Sequence, residues 1–339
     1  MKARRWKLIV AVVPDPFARR QIAATKAVAI AQRCGARLVF FNAFMVPQPV
    51  SDVPMDSSEE ILESAIQQRV ALLEALAKRL RAPRGTRCIV RWDYPQHEAI
   101  VRQVLHSKPD LLVTESHRHG RLARLLLANT DWQLMRDCPC PLWFVRSASL
   151  PKTPQVLVAV DPRHAHAKPA QLDDRLLLAA RTLTHQLGGR TAIVHAYDPP
   201  LSAPPGMLME PVRLPLSPER TRQFVAKTSA LVSKLAGRYR IASRDQIVEQ
   251  GSPHSVIAAQ ARRRRCDVLM MGAVSRSLLT RPVIGNTAER VIDHADCDVF
   301  VVKPAGFRSP VRSTLVRRAG EPLRIVAHSR ERPMLRESL

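Results

Sequence analysis

The sequence is short of several things, and each shortage narrows its function. Only 4% of its residues are aromatic, too few for a platform on which unpaired bases stack. No apolar run approaches the roughly 18 residues of a membrane span. Leu8–Val13, after the basic stretch Met1–Trp6, is too short for a secretory signal and reads as a strand. The six cysteines follow no disulfide-framework spacing, which fits reduced thiols and predicts a cytoplasmic protein. Gly-x-Ser-x-Gly, His-Glu-x-x-His and the Walker Gly-x4-Gly-Lys pattern are all missing, so no catalytic residues are assigned. Acidic residues are scarce as well: 29 against 53 lysines and arginines, a formal net charge of +24 with a pI near 11.1. That surplus suits phosphate ligands, nucleic acid or an anionic membrane. The arginines are scattered along helical segments with few tight runs, so nucleic acid is kept only as an alternative partner.

What is present is a repeat. Asp110-Leu111-Leu112-Val113 matches Asp267-Val268-Leu269-Met270, Asn129-Thr130 matches Asn286-Thr287, and Cys140–Val145 matches Cys297–Val302. All three pairs share one offset, 157 residues, which indicates duplication. Each copy alternates strands with helices. The first reads as strands 7–13, 37–43, 86–92, 110–114 and 141–146 with helices 16–33, 59–81, 95–107 and 130–137. The second reads as strands 155–160, 190–196, 245–249, 267–271 and 298–303 with helices 171–187, 218–236, 253–264 and 287–295. Alternation with continuously apolar strands predicts an α/β fold: two tandem flavodoxin- or Rossmann-like domains, each a five-stranded parallel sheet with helices on both faces. The expected domains are 1–148 and 153–305, joined by the short linker Ser147–Pro154. Residues 306–339 carry eight arginines against three glutamates and no apolar period, and are expected to be a disordered basic tail.

The candidate site lies in the second copy. Ligands of parallel α/β sheets sit beyond the carboxyl ends of the strands. Strand 267–271 ends at Gly272, where the backbone can approach a ligand. Gly285-Asn286-Thr287 then opens a helix, whose free N–H groups favour an anion, with Asn286 and Glu289 placed as a capping pair. Arg276 and Arg281 in the intervening loop can meet phosphate charge. His117-x-His119 and His164-x-His166 lack a partner ligand set, so no metal is assigned. Cys138-Pro139-Cys140 is read as packing. Arg262–Arg265 ends a helix and suits its dipole. The loops Val46–Pro54 and Pro199–Pro218 fall at equivalent places and could border an apolar pocket.

Gly272-x2-Ser275-x9-Gly285-Asn286 resembles the Gly-x2-Gly-x9-Gly-(Ser/Thr/Asn) signature of the universal stress protein family. Thr287–His294, Cys297–Pro304 and the opening Val156–Asp161 are similar to the same family. Pro95-x2-Glu98-Ala99-Ile100 and Thr130-Asp131-Trp132-x-Leu134-x-Arg136-x-Cys138-Pro139 resemble its tandem E type. The resemblance covers about residues 7–305. It implies a stress-resistance role that includes DNA-damaging conditions, and an internal pseudo-dimer in which the last strands of the two copies lie together; a homodimer stays open. It also implies ATP as the candidate cofactor, with Asp161 at the adenine end and Gly272, Ser275, Arg276, Gly285, Asn286 and Thr287 around the phosphates. Ser275 departs from the signature by replacing its second glycine. The first copy departs further, with Glu115 for Gly272, Arg118 for Ser275, Ala128 for Gly285 and Val13 for Asp161. One nucleotide site per chain is therefore expected, in a binding or regulatory module. A slow adenine-nucleotide hydrolase is the enzymatic alternative.

Overall fold

A computed structural model describes residues 5–45, 55–116, 129–163, 171–197, 217–273, 275–276, 283–284, 291, 295–313 and 326–328. The first half runs β1 (Leu8–Val12), α1 (Ile22–Cys34), β2 (Arg37–Phe44), α2 (Met55–Arg79), β3 (Arg87–Trp92), α3 (Gln96–Ser107), β4 (Leu111–Glu115), α4 (Asn129–Asp137) and β5 (Leu142–Val145). The second runs β6 (Gln155–Ala159), α5 (Leu172–Leu187), β7 (Arg190–Tyr197), α6 (Pro218–Arg238), β8 (Gln246–Gln250), α7 (Pro253–Arg263), β9 (Val268–Gly272), β10 (Ser275–Arg276), β11 (Val283–Ile284) and β12 (Asp298–Val302). Of the expected helix 287–295 only Val291 and Ala295 are described; both are buried, and Ala295 N–H donates to Val291 O at 2.8 Å, a helical bond.

Strand order is the same in both halves, β3-β2-β1-β4-β5 and β8-β7-β6-β9-β12, and every pair within a half is parallel. This is the Rossmann-type order, with its topological switch between β1 and β4 and between β6 and β9. The halves join edge to edge: β5 pairs antiparallel with β12, setting Trp143 opposite Phe300. One continuous sheet results. Alternate strand residues feed two apolar layers. Ile9, Ala11, Leu38 and Phe40 pack under α1, α2, α5 and α6, while Val10, Val12, Val39 and Phe41 pack under α3, α4 and α7.

The seam is sealed by polar bonds as well as by packing. Asp298 is buried at the start of β12; Lys26 Nζ and Trp143 Nε1 donate to its Oδ2, and Arg146 N–H donates to Oδ1 at 2.9 Å. All three donors belong to the other half. Trp6, Trp143 and Phe300 close round this pair, with ring centroids 5.6–6.5 Å apart.

Three expectations change. Helix α1 begins at Ile22, not residue 16. Pro14-Asp15-Pro16 starts a turn instead: Asp15 Oδ1 accepts Phe17 N–H at 2.9 Å, and the buried Gln21 amide donates to Asp15 O and Ala18 O. Helix α2 begins four residues earlier than the apolar spacing suggests, at Met55. The basic tail contributes a strand, β13 (Val326–His328), antiparallel to the edge strand β3. Val-Ala-His is a short β-compatible stretch inside the arginine-rich segment, and β3 offers it an open ladder.

Candidate functional site

At the carboxyl end of β6 the chain turns at Asp161. Its N–H is taken by both carboxylate oxygens of Asp173, at 3.2 and 3.1 Å. Asp173 lies in the first turn of α5, where a negative charge also suits the helix dipole. The corner is thereby held, and the Asp161 side chain is carried into the protein. The residue is 9% exposed, and neither carboxylate oxygen has a hydrogen-bond partner among the described residues. His195, near the end of β7, places Nδ1 3.0 Å from Val160 O and 4.0 Å from Asp161 Oδ1, beyond hydrogen-bond reach of the carboxylate. A buried carboxylate left in this way is costly and uncommon in a folded protein. Its chemistry is that of an acceptor awaiting donors.

Gly272 ends the neighbouring strand β9. The β6–β9 register pairs Val158 with Met270. Continued along both strands, it sets Asp161 one residue past the level of Gly272, on strands about 4.8 Å apart. Gly272 also has a packing reason to lack a side chain: a Cβ there would lie 2.5 Å from Leu172 Cδ2. The loop after it folds back on itself, pairing Ser275 with Ile284 and Arg276 with Val283 as an antiparallel hairpin, and β11 packs against α4 of the first half. Gly285, Asn286 and Thr287, like Arg281, lie outside the described residues.

The sequence profile described as "Universal stress protein family" matches residues 7–146 and again 153–303. This chain belongs to the universal stress protein family. It carries two such domains in tandem, and its full-length similarity is to E-type members. It is 30% identical to Universal stress protein E of Photorhabdus laumondii over 89% of this chain and 96% of the relative, and 29% identical to that of Escherichia coli K12 over 88% and 95%. A protein of Pseudomonas aeruginosa PAO1 has the same fold, with a TM-score of 0.64 at 20% identity, covering 88% of this chain and 93% of that one. A universal stress protein from Archaeoglobus fulgidus DSM 4304 follows with a TM-score of 0.52 at 16% identity, covering 89% and 97%. Membership carries a stress-response role. No helix among the described residues is long and apolar enough to cross a membrane.

The first universal-stress-protein domain is built differently at the same place. Val13 N–H donates to Phe41 O as Val160 N–H donates to Val194 O. Val13 is therefore the counterpart of Val160, and the residue standing for Asp161 is Pro14, a correction of one position. Asn42 replaces His195 and donates its amide to Val13 O at 2.7 Å. Glu115 ends β4 where Gly272 ends β9.

An arginine stacked on aromatic rings recurs in both domains by different routes. Arg69 of α2 lies over Phe44 and Phe17, 4.0 and 5.3 Å from the centroids, whereas Arg163, from the β6–α5 loop, lies 4.1 Å from Phe224 and donates to Thr228. Sequence reading missed His195, Asp173 and Arg163. The one available signal was a lone histidine after the apolar run Ala192–Val194 of β7 (Arg190–Tyr197).

Cys138 and Cys140 are buried with Sγ atoms 3.6 Å apart, and burial pushes the Cys140 thiol up, as packing residues require. Both His-x-His pairs, the whole Val46–Pro54 loop and nearly all of Pro199–Pro218 lie outside the described residues.

Proposed function

We propose that the second domain binds one adenine nucleotide per chain, ATP being the candidate, in a binding and regulatory module of the cytoplasmic stress response that includes DNA-damaging conditions. The observation that supports this reading is the buried carboxylate of Asp161 at the switch point of the second half, without a hydrogen-bond partner among the described residues. An exocyclic amino group presents the donor that such a carboxylate lacks, and a keto group in its place would be repelled. Gly272, Ser275, Arg276, Gly285, Asn286 and Thr287 follow on the adjacent strand and its loop, where phosphates would be met by backbone N–H groups and Arg276. Pro14 in the first domain offers no such acceptor, which supports a single site.

The test is equilibrium binding of ATP against GTP. The reading predicts that ATP binds at least about tenfold more tightly, and that Asp161→Asn removes most of the difference. Equal affinity for the two nucleotides in the unmodified protein would refute the role given to Asp161.

A further inference from the structure

Helix register aligns the two halves side chain by side chain. α1 and α5 both end on left-handed glycines, Gly35 and Gly188, and α1 buries Ala23, Ala27 and Ile30 where α5 buries Leu176, Ala180 and Leu183. On this register Arg19, Arg20 and Gln21 stand where the second half has Leu172, Asp173 and Asp174. Arg81 and Arg240, both at positive φ just past α2 and α6, likewise align Arg79 with Arg238. In the second half the charges are matched: Arg238 Nη1 lies 2.9 Å from Asp174 Oδ1, and Asp173 holds the Asp161 N–H. In the first half both carboxylates are gone, the cation of Arg238 is kept as Arg79, and Arg19 and Arg20 add two more.

Arg19, Arg20 and Arg79 line one cleft of about 260 Å³, walled by Ile22, Leu80 and Ala148 of the linker, with no acidic residue in its lining. None of the three guanidinium groups makes an ion pair or hydrogen bond with any described residue. All three arginines are exposed, so solvent screens their mutual repulsion, and an anion seated among them gains attraction from each.

We infer that this cleft is an anion site that takes a small, multiply charged phosphoryl compound of diphosphate size. The guanidinium fork matches two oxygens of one phosphoryl group, so three arginines can hold two such groups. The volume lies below the roughly 300–1,000 Å³ of sites for drug-sized ligands. A bound diphosphate would bridge α1, the end of α2 and the linker between the domains. The site shares no residue with the nucleotide site of the second domain.

Calorimetric titration of the full chain with inorganic pyrophosphate tests this, on the Gly285→Glu background so that the second domain's phosphate end carries a carboxylate. Saturable binding of about one pyrophosphate per chain is expected, weakening as salt rises. Arg20→Asp with Gln21→Asp installs the pattern that the second half already folds with, and should weaken binding at least about tenfold; Arg79→Glu should do the same. Far-UV circular dichroism verifies that the variants fold. ADP in place of pyrophosphate separates the two sources of a diphosphate: equal affinity means that the diphosphate alone is read, tighter affinity that a nucleoside comes with it. Absence of saturable pyrophosphate binding, or affinity unchanged in both folded variants, would overturn the assignment.

Discussion

On the proposed function, Asp161 is held for a ligand at the expense of the empty fold. Replacing its carboxylate by the isosteric amide removes a buried charge without removing volume. Asp161→Asn should therefore raise the unfolding free energy of the ligand-free protein, by roughly 1–3 kcal/mol, while it weakens ATP binding. Urea denaturation of both proteins measures this, and a loss of stability would show that a protein partner satisfies the carboxylate.

Lys303, like Lys26 and Asp298, is a buried ion at the seam. Its Nζ donates to Arg136 O at 2.8 Å, and burial pushes its ammonium down to about 8. Between that value and the unfolded one near 10.5, the unfolded chain holds a proton that the folded chain has released. Stability contributed through Lys303 therefore rises with pH across this window and is flat below it, by on the order of 3 kcal/mol in total. The difference in unfolding free energy between the parent and Lys303→Met, followed from pH 7 to 10.5, reads this directly. A difference independent of pH would mean that Lys303 titrates normally.

Of the proposed site residues, Asp161 came only from the family resemblance, which places an acidic residue after the apolar strand Val156–Val160. Its counterpart was misread by one position because Val13 and Val160 are the same residue in the same register, and only the hydrogen bonds to Phe41 and Val194 align them. Asp173 was illegible and His195 showed only as a lone strand histidine: each approaches the Asp161 corner from another element, and no spacing in the sequence encodes that approach.

At the scale of elements, apolar periodicity located strands and helices well and their starts less well. α1 was placed too early because Pro14-Asp15-Pro16 looks compatible with a helix start, while the capture of the Asp15 and Ala18 carbonyls by the Gln21 amide depends on burial. The packing of α5 against β9 makes a sharp prediction. Gly272→Ala would drive its Cβ into Leu172 and should cost about 1–3 kcal/mol, relieved in part by a second change, Leu172→Ala, that clears the space. Additive losses in the double variant, read by thermal denaturation, would show that Gly272 is needed for another reason.

The seam makes another. Lys26→Met leaves Asp298 buried without its cation and should destabilise by about 3–5 kcal/mol, whereas Lys26→Met with Asp298→Asn should recover much of that. Equal stability of Lys26→Met and the parent would remove the ion pair from the account of how the halves are joined.

The whole molecule is two copies of one Rossmann-type unit joined through β5 and β12, with the two copies assigned different ligand chemistry. The duplication was visible as a constant offset, and the shared strand order follows from it. That the last strands meet came only from the family resemblance, since nothing in composition or spacing says which edges meet, and their antiparallel sense came from the structure; β13 was hidden in a charged segment without period. The division of labour is the central claim: an acceptor site in the second domain, and none at the equivalent place in the first. Titration calorimetry with ATP tests it most directly, on the unmodified chain and on Gly285→Glu and Ala128→Glu. Repeating each titration with Arg79→Glu added discounts any separate diphosphate site without occupying the nucleotide site. One ATP per chain, lost in Gly285→Glu and retained in Ala128→Glu, is the result predicted. Two equivalent ATP sites, or binding that survives Gly285→Glu, would contradict it.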